Sequence, residues 1–259
     1  MKKLITLLLS AFMSFTVYSQ EKVTLKRALK IYDMLEVSLE IENKPNDNFH
    51  LVKIDTLTVI DGKKQSLNHN IFQNKFRKAN VLARYEIDEN KPYRSLEIKG
   101  VINYFKPSKD DGSYFDLGKI KGLQKNTNLI SKSVTSKNPH LFFGIFDAAT
   151  IDKVFPNFEY RNSETDEPKK IDFKSFDLIY ALKADKNRDF AVAVNGDLEP
   201  GFNTLTLTDK KTRMVYKLVK LQQNMTLVER ESIRIELMIE NEAAVRKIPF
   251  DFKNVQPKG

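Results

Sequence analysis

The chain predicts an all-β protein: two antiparallel β-sandwich domains in tandem, with one or two short helices. Three observations carry that expectation. Residues 232–240 place Ile233, Ile235, Leu237 and Ile239 at every second position, with Arg234, Glu236 and Glu240 between them. Successive strand side chains point to opposite faces, so this spacing gives one apolar and one polar face, whereas a helix would scatter the same residues around its axis. The design recurs at 35–41, where Leu35, Val37, Leu39 and Ile41 alternate with Glu36, Ser38 and Glu40. The second observation is punctuation. Short apolar runs are separated by turn-forming stretches at 43–48, Asp61-Gly62, 107–112 and Asn195-Gly196. The third is an internal echo. Ser95-Leu96-Glu97-Ile98 is followed by Phe115-Asp116-Leu117, and Ser232-Ile233-Arg234-Ile235 by Phe250-Asp251-Phe252. Each pair is expected to close its own half of the protein with antiparallel strands.

Residues 1–19 read as a secretory signal peptide. Lys2 and Lys3 precede a mostly apolar run from 4 to 17, and Val17-Tyr18-Ser19 offers a cleavage site. The apolar run is short for a membrane span. The mature chain is expected to start at Gln20 or Glu21 and to be exported, periplasmic or secreted, in a Gram-negative-type envelope. It has no cysteine, which excludes disulfides, thiol nucleophiles and thiolate metal sites, so the fold must hold by core burial. Of 43 Lys and Arg, Lys2 and Lys3 lie in the leader, leaving 41 against 34 Asp and Glu. The excess is concentrated in two acid-free stretches, 62–85 with six basic residues and 117–146 with five. A concentrated positive field favours anionic partners. The expected division is an N-terminal sandwich at 20–120, a basic polar linker at 121–139 and a C-terminal sandwich at 140–259.

Taken in order, residues 21–29 suggest a short helical lead-in, because Leu25, Ala28 and Leu29 share a helical face. Strands follow at 35–41 and 51–60, the second ending in the hairpin signal Asp61-Gly62. Residues 67–80 are irregular, with Phe72, Phe76 and Ala79 at helical spacing, and read as a short basic helix or a loop. Strands are expected at 81–87, 93–105 and 113–117. Gly100 breaks the alternation of the second of these, which predicts a bulge or a close backbone approach. The stretch 121–138 is polar, with a weak strand at 129–134. Residues 147–155 predict a helix capped by Asp147, and 161–170 a charged loop. Strands then read at 176–182, 190–194, 204–208, 214–221, 232–240 and 247–252. Asp197-Leu198-Glu199-Pro200-Gly201-Phe202, followed by Leu205 and Leu207, resembles the corner before a late strand in bacterial immunoglobulin-like domains. The resemblance covers about 12 residues and implies tandem immunoglobulin-like modules of exported envelope proteins. The Cys–Trp–Cys core of antibody-type domains is absent.

The catalytic inventory is thin. His50, His69 and His140 are widely separated, without metal-ligand spacing, and no nucleophile elbow or phosphate-cradling glycine loop is present. Asp110, Asp111 and Asp116 form the tightest acidic cluster, and its ordinary reading is a solvated hairpin turn. No cofactor and no metal site is expected. The better lead is the basic stretch Lys63, Lys64, Phe72, Lys75, Phe76, Arg77, Lys78 and Arg84, where cations interleave with aromatics; its bland reading is a solvated loop whose rings plug a sandwich end. Asn224-Met225-Thr226 fits a glycosylation sequon, and Thr56 in Asp55-Thr56-Leu57 resembles the acceptor of a bacterial O-glycosylation pathway. The expected role is a non-catalytic binding or assembly module of a bacterial envelope, engaging a protein or anionic partner and not nucleic acid. The alternative is a glycan-binding or glycan-cleaving protein with a groove of carboxylates and Tyr93, Tyr104 and Tyr114.

Overall fold

A computed structural model describes residues 21–72, 75–161, 168–184, 188–198 and 203–259. The leader, the middle of the charged loop at 161–170 and the corner at 199–202 lie outside the described residues. Within them the chain is mostly antiparallel β-structure. In order come β1 (Val23–Ile31), β2 (Met34–Ile41), β3 (Leu51–Asp61), β4 (His69–Phe72), β5 (Val81–Glu86), β6 (Leu96–Phe105), β7 (Tyr114–Lys119), α1 (Lys132–Thr135) and β8 (Phe142–Ile145). Then follow α2 (Ala148–Val154), β9 (Glu159–Arg161), β10 (Pro168–Lys170), β11 (Leu178–Lys183), β12 (Phe190–Val194) and β13 (Asn203–Thr208). The chain ends with β14 (Val215–Lys220), α3 (Leu227–Ser232), β15 (Arg234–Ile239) and β16 (Val245–Val255). Among the described residues no helix is long and apolar enough to cross a membrane.

The alternating pattern does what the pleat requires. Leu35, Val37, Leu39 and Ile41 of β2 are buried in a cluster that also takes Ile54, Ile98, Ile102 and Phe250 from the facing sheet. The two contributing sheets run β1-β2-β5-β4 and β16-β6-β3. Glu36, on the other face of β2, is buried as well. Its carboxylate pairs with Arg27 of β1 and Arg84 of β5, the strands on either side. A second cluster lies between β12-β15-β7 and β13-β14-β11-β8, and draws on Phe143, Leu178, Val219, Ile235 and Leu237. The last of these sheets is covered on its other face too. There Ile179, Leu207, Tyr216 and Leu218 pack with Ile151 of α2 and with Ile171 and Phe173. Asp147 caps α2, its side chain accepting from Thr150 N at 2.7 Å.

Five expectations are corrected. Residues 21–29 form β1, not a helix. A β-bulge between Leu25 and Arg27 offsets the register, so Leu25 and Ala28 face inward three residues apart and imitate helical spacing. The weak strand at 129–134 is a loop leading into α1. The stretch 121–139 is packed rather than a free linker: Asn126 N and Leu129 N donate to the carbonyls of Ile145 and Phe143 at 2.7 Å, and Ile130 is buried. The short helices number three among the described residues. α3 begins with a capping box, in which Thr226 and Glu229 satisfy each other's backbone N–H.

The fifth concerns how the echoing segments pair. β6 pairs with β16 and β15 pairs with β7, so each closing strand lies in the sheet of the other half. Residues 245–255 return to the sheet of β3 and β6, and residues 114–119 cross to β15. Gly100 has its predicted close approach: a Cβ there would run into the carbonyl oxygen of Thr56, at the bulge of β3.

A fourth cluster joins the two pairs of sheets. Leu51, Phe76 and Phe105 meet Ala191, Ala193 and Met238, which stand on the face of β12 and β15 opposite the second core. The face of β15 expected to be wet is therefore covered at Met238, which is fully buried, while Arg234 on the same face is exposed.

Candidate functional site

β14 reads Val-Tyr-Lys-Leu-Val from 215 to 219, so the strand period sends Tyr216 and Leu218 to the face under α2. Val215, Lys217 and Val219 take the opposite face, toward β12. Lys217 is flanked in register by Tyr180 of β11 and Thr206 of β13. Its Nζ donates to Thr206 Oγ1 at 2.6 Å. No carboxylate pairs with it among the described residues.

The space in front of Lys217 is a cavity of about 650 Å³, well within the range of small-molecule sites. One wall is the sheet of β11, β14 and β13, with Tyr180, Leu182, Val215 and Thr204. The other is Phe190, Ala191 and Val192 of β12 with Leu198. Lys75 and Phe76, from the segment after β4, close it from the first pair of sheets. Lys75 is exposed, and Phe76 is buried against Phe105 with ring centroids 4.8 Å apart. Burial pushes the Lys217 ammonium below the ordinary lysine pKa, and the charge of Lys75 pushes it the same way. The Tyr180 hydroxyl is pushed up to about 12 by burial, so at neutral pH it is an O–H donor. It has no hydrogen-bond partner among the described residues.

Among the described residues Asp189 is the one acid in the lining, and it is already engaged. Lys53 Nζ lies 2.6 Å from its Oδ2 and 2.8 Å from Glu240 Oε2, and sits over the Phe76 ring at 4.6 Å. Among the described residues the cavity thus presents two cations without carboxylate partners, hydroxyls from Thr204, Thr206 and Tyr180, and an otherwise apolar wall. Such a lining can accommodate negative charge next to hydrocarbon.

The basic stretch singled out in the sequence does not converge. Lys75 and Phe76 line the cavity. Lys63 and Lys64 are exposed on the turn after β3, with Lys64 at φ +62°. Phe72 lies in β4. Arg77 exchanges both backbone hydrogen bonds with Val52 at 2.9 Å. Lys78 Nζ donates to the Gly196 carbonyl at 3.1 Å, and Arg84 is paired with Glu36. Thr56 and Asn224 are exposed, Asn224 on a turn at φ +55°, while Thr226 of the same sequon serves as the cap of α3.

The acids and tyrosines considered for a glycan groove have other occupations. Asp111 accepts from Ser113 N at 2.9 Å, and Asp116 pairs with Arg234. Tyr114 donates to Glu236, and Tyr104 is buried. Among the described residues no group of three His, Asp or Glu is placed to hold a metal ion.

Sequence reasoning missed Lys217, Tyr180, Thr206 and Phe190. The available signal was a lysine inside the apolar run of β14, on the same parity as Val215 and Val219. No protein-family model matches this chain, and no curated protein matches it.

Proposed function

We propose that this chain is an exported, non-catalytic binding module of a bacterial envelope that holds an anionic partner in the cavity at Lys217. In this reading it comprises two immunoglobulin-like β-sandwich units, one of residues 23–105 with 245–255 and one of residues 114–239. The facing antiparallel sheets with clusters between them support the sandwich reading. One observation carries the function: Lys217 is half-buried in a roomy cavity beside Lys75, and its only polar partner among the described residues is a threonine hydroxyl. Buried cations are normally paired, so a cation kept there without a carboxylate is one reserved for a ligand.

The test is a thermal-shift screen of the full chain against small organic anions and acidic polysaccharides at low and moderate salt. Ligands should raise the melting temperature, and Lys217→Glu should abolish the rise. Lys63→Glu, on the exposed turn, should leave it intact. A flat response to every anion, or equal loss in the two variants, would refute this reading.

A further inference from the structure

Resting on that anion-binding reading, we infer that the cavity takes an amphiphilic anion: one carboxylate or phosphate head at Lys217 and Thr206, with a hydrocarbon body against Phe76, Phe190, Leu182 and Val215. The distribution of polar groups inside the cavity points to this class. Its hydroxyls gather around Lys217, where the Thr206 hydroxyl sits 2.6 Å from the ammonium and Tyr180 stands next in register, while Asp189 is engaged by Lys53. The facing wall is Phe190, Ala191 and Val192, with Leu198 beside it. A polyhydroxylated sugar against that wall would leave its hydroxyls unpaired, which costs free energy for each one. An apolar chain there removes hydrocarbon from water on both sides.

Charge sets the size of the head group. Among the described residues Lys75 and Lys217 are the lining cations without a carboxylate, since Lys53 is committed to Asp189 and Glu240. Two positive charges, one of them at the exposed mouth, suit a head carrying one or two negative charges. A polyanion would place surplus charge beside the Asp189 carboxylate. A bare inorganic anion would leave most of the 650 Å³ unfilled.

The experiment titrates the full chain by calorimetry with decanoate and decyl phosphate, each kept monomeric. Acetate and inorganic phosphate serve as head-only probes and decanol as a tail-only probe. Binding of decanoate or decyl phosphate should exceed that of every head-only and tail-only probe, and the better of the two decides between a carboxylate and a phosphate ligand. Lys217→Met should weaken it at least about tenfold, the scale of one charge-assisted hydrogen bond. Lys217→Arg should largely keep it, and Phe190→Asn should weaken it while sparing acetate. Melting curves of each variant separate lost binding from lost folding, and exposed Lys75, changed to Ala, gives a second head-group variant without a buried substitution.

Decanoate and decyl phosphate binding no tighter than acetate and phosphate, or unchanged in Lys217→Met, overturns the inference. If an acidic polysaccharide binds through Lys217 while neither amphiphile does, the anion-binding reading stands and the amphiphile is lost. If no anion of any kind binds, both fall.

Discussion

Lys53 sits over the Phe76 ring and Lys217 shares a cavity with Phe76, and the contrast between the two lysines defines the junction. Lys53 reaches from β3 across to Asp189 and Glu240, at 2.6 and 2.8 Å, with its side chain only 9% exposed. Lys217 reaches from β14 into the cavity and finds a threonine. Burial pushes both ammonium groups down. For Lys53 the hydrogen bonds to Asp189 and Glu240 outweigh burial and hold its pKa above the ordinary value; for Lys217 burial and Lys75 act together and hold it below. Burial of a charge is therefore not one thing. With partners it fastens two pairs of sheets together, and without them it leaves an unfilled requirement that a ligand can meet.

The sharpest way to break the comparison is Lys53→Met. Removing one member of a buried ionic group leaves the others uncompensated. Glu240 is 11% exposed at its side chain and Asp189 43%, so Glu240 bears most of the penalty. The expected loss is about 3 kcal/mol, toward the lower end for such deletions because Asp189 keeps its water. That corresponds to a fall of roughly 6–12 °C in melting temperature. Adding Glu240→Met should restore most of it, since an apolar replacement of a whole buried pair is close to neutral. The pH dependence has a fixed sign. The Lys53 pKa is raised on folding, so its contribution is fully present below the ordinary lysine value of 10.5 and disappears as pH climbs through the higher folded value. Guanidinium titrations of wild type and Lys53→Met should differ by a constant amount from pH 7 to 10 and converge above that. A difference that shrank toward acid instead would show that Lys53 is not the group responsible.

Gly100→Ala calibrates that loss against a purely steric one away from the junction. The added methyl would overlap the Thr56 carbonyl at the β3 bulge, where backbone and not a flexible side chain must move. Overpacking of this kind costs about 2 kcal/mol, to be read from the same denaturant titrations with an unchanged slope. A neutral result would mean that β3 and β6 slide apart freely.

Gly100 also marks how far sequence reasoning reached. A glycine interrupting an alternating strand was enough to foresee a close approach, though not that the bulge would lie on the neighbouring strand. Alternation likewise located β2 and β15, because a period of two reports local geometry. It was blind where geometry is non-local. Nothing in Phe115-Asp116-Leu117 or Phe250-Asp251-Phe252 says which edge each strand joins, and the two segments are near copies, so either pairing satisfies the pattern. The bulge in β1 defeated the period itself. At the site, only Lys75 and Phe76 could be singled out, because they sit in a basic run. Lys217, Tyr180 and Phe190 come from three strands and look like ordinary strand residues until the sheets are packed.

Asp189 belongs to both halves of the comparison, which makes Asp189→Asn a way to sharpen it. Its carboxylate is half in water, so losing the ion pair to Lys53 should cost about 1 kcal/mol or less. The amide still accepts one hydrogen bond from Lys53, and the Asp189 main chain keeps its own bonds, its N–H donating to the Glu240 carboxylate and its carbonyl accepting from Glu240 N. The same change removes the one negative charge that the described residues contribute to the cavity lining. Stability should therefore fall slightly while affinity for an anionic ligand rises, and calorimetry with decanoate alongside a melting curve would register both. Movement in the same direction would mean that the acid shapes the cavity instead of opposing the ligand's charge.

Lys217→Met should give the smallest stability change and the opposite sign to Lys53→Met. The folded state lowers the Lys217 pKa, so at neutral pH the fold carries the cost of holding a charge away from some of its water. Much of the side chain remains solvated, and screening discounts that cost to less than about 1 kcal/mol. Methionine keeps the length and apolar stem of the lysine, so the variant should melt at the wild-type temperature or slightly above it. The gain should be present at pH 7 and vanish above about 10.5, where the wild-type lysine is neutral in both states. A substitution that stabilises the empty protein and removes its ligand would identify Lys217 as a residue kept for binding at the expense of the fold. If the variant were instead destabilised by as much as Lys53→Met, Lys217 would have an unseen structural partner, and the difference between the two lysines would collapse.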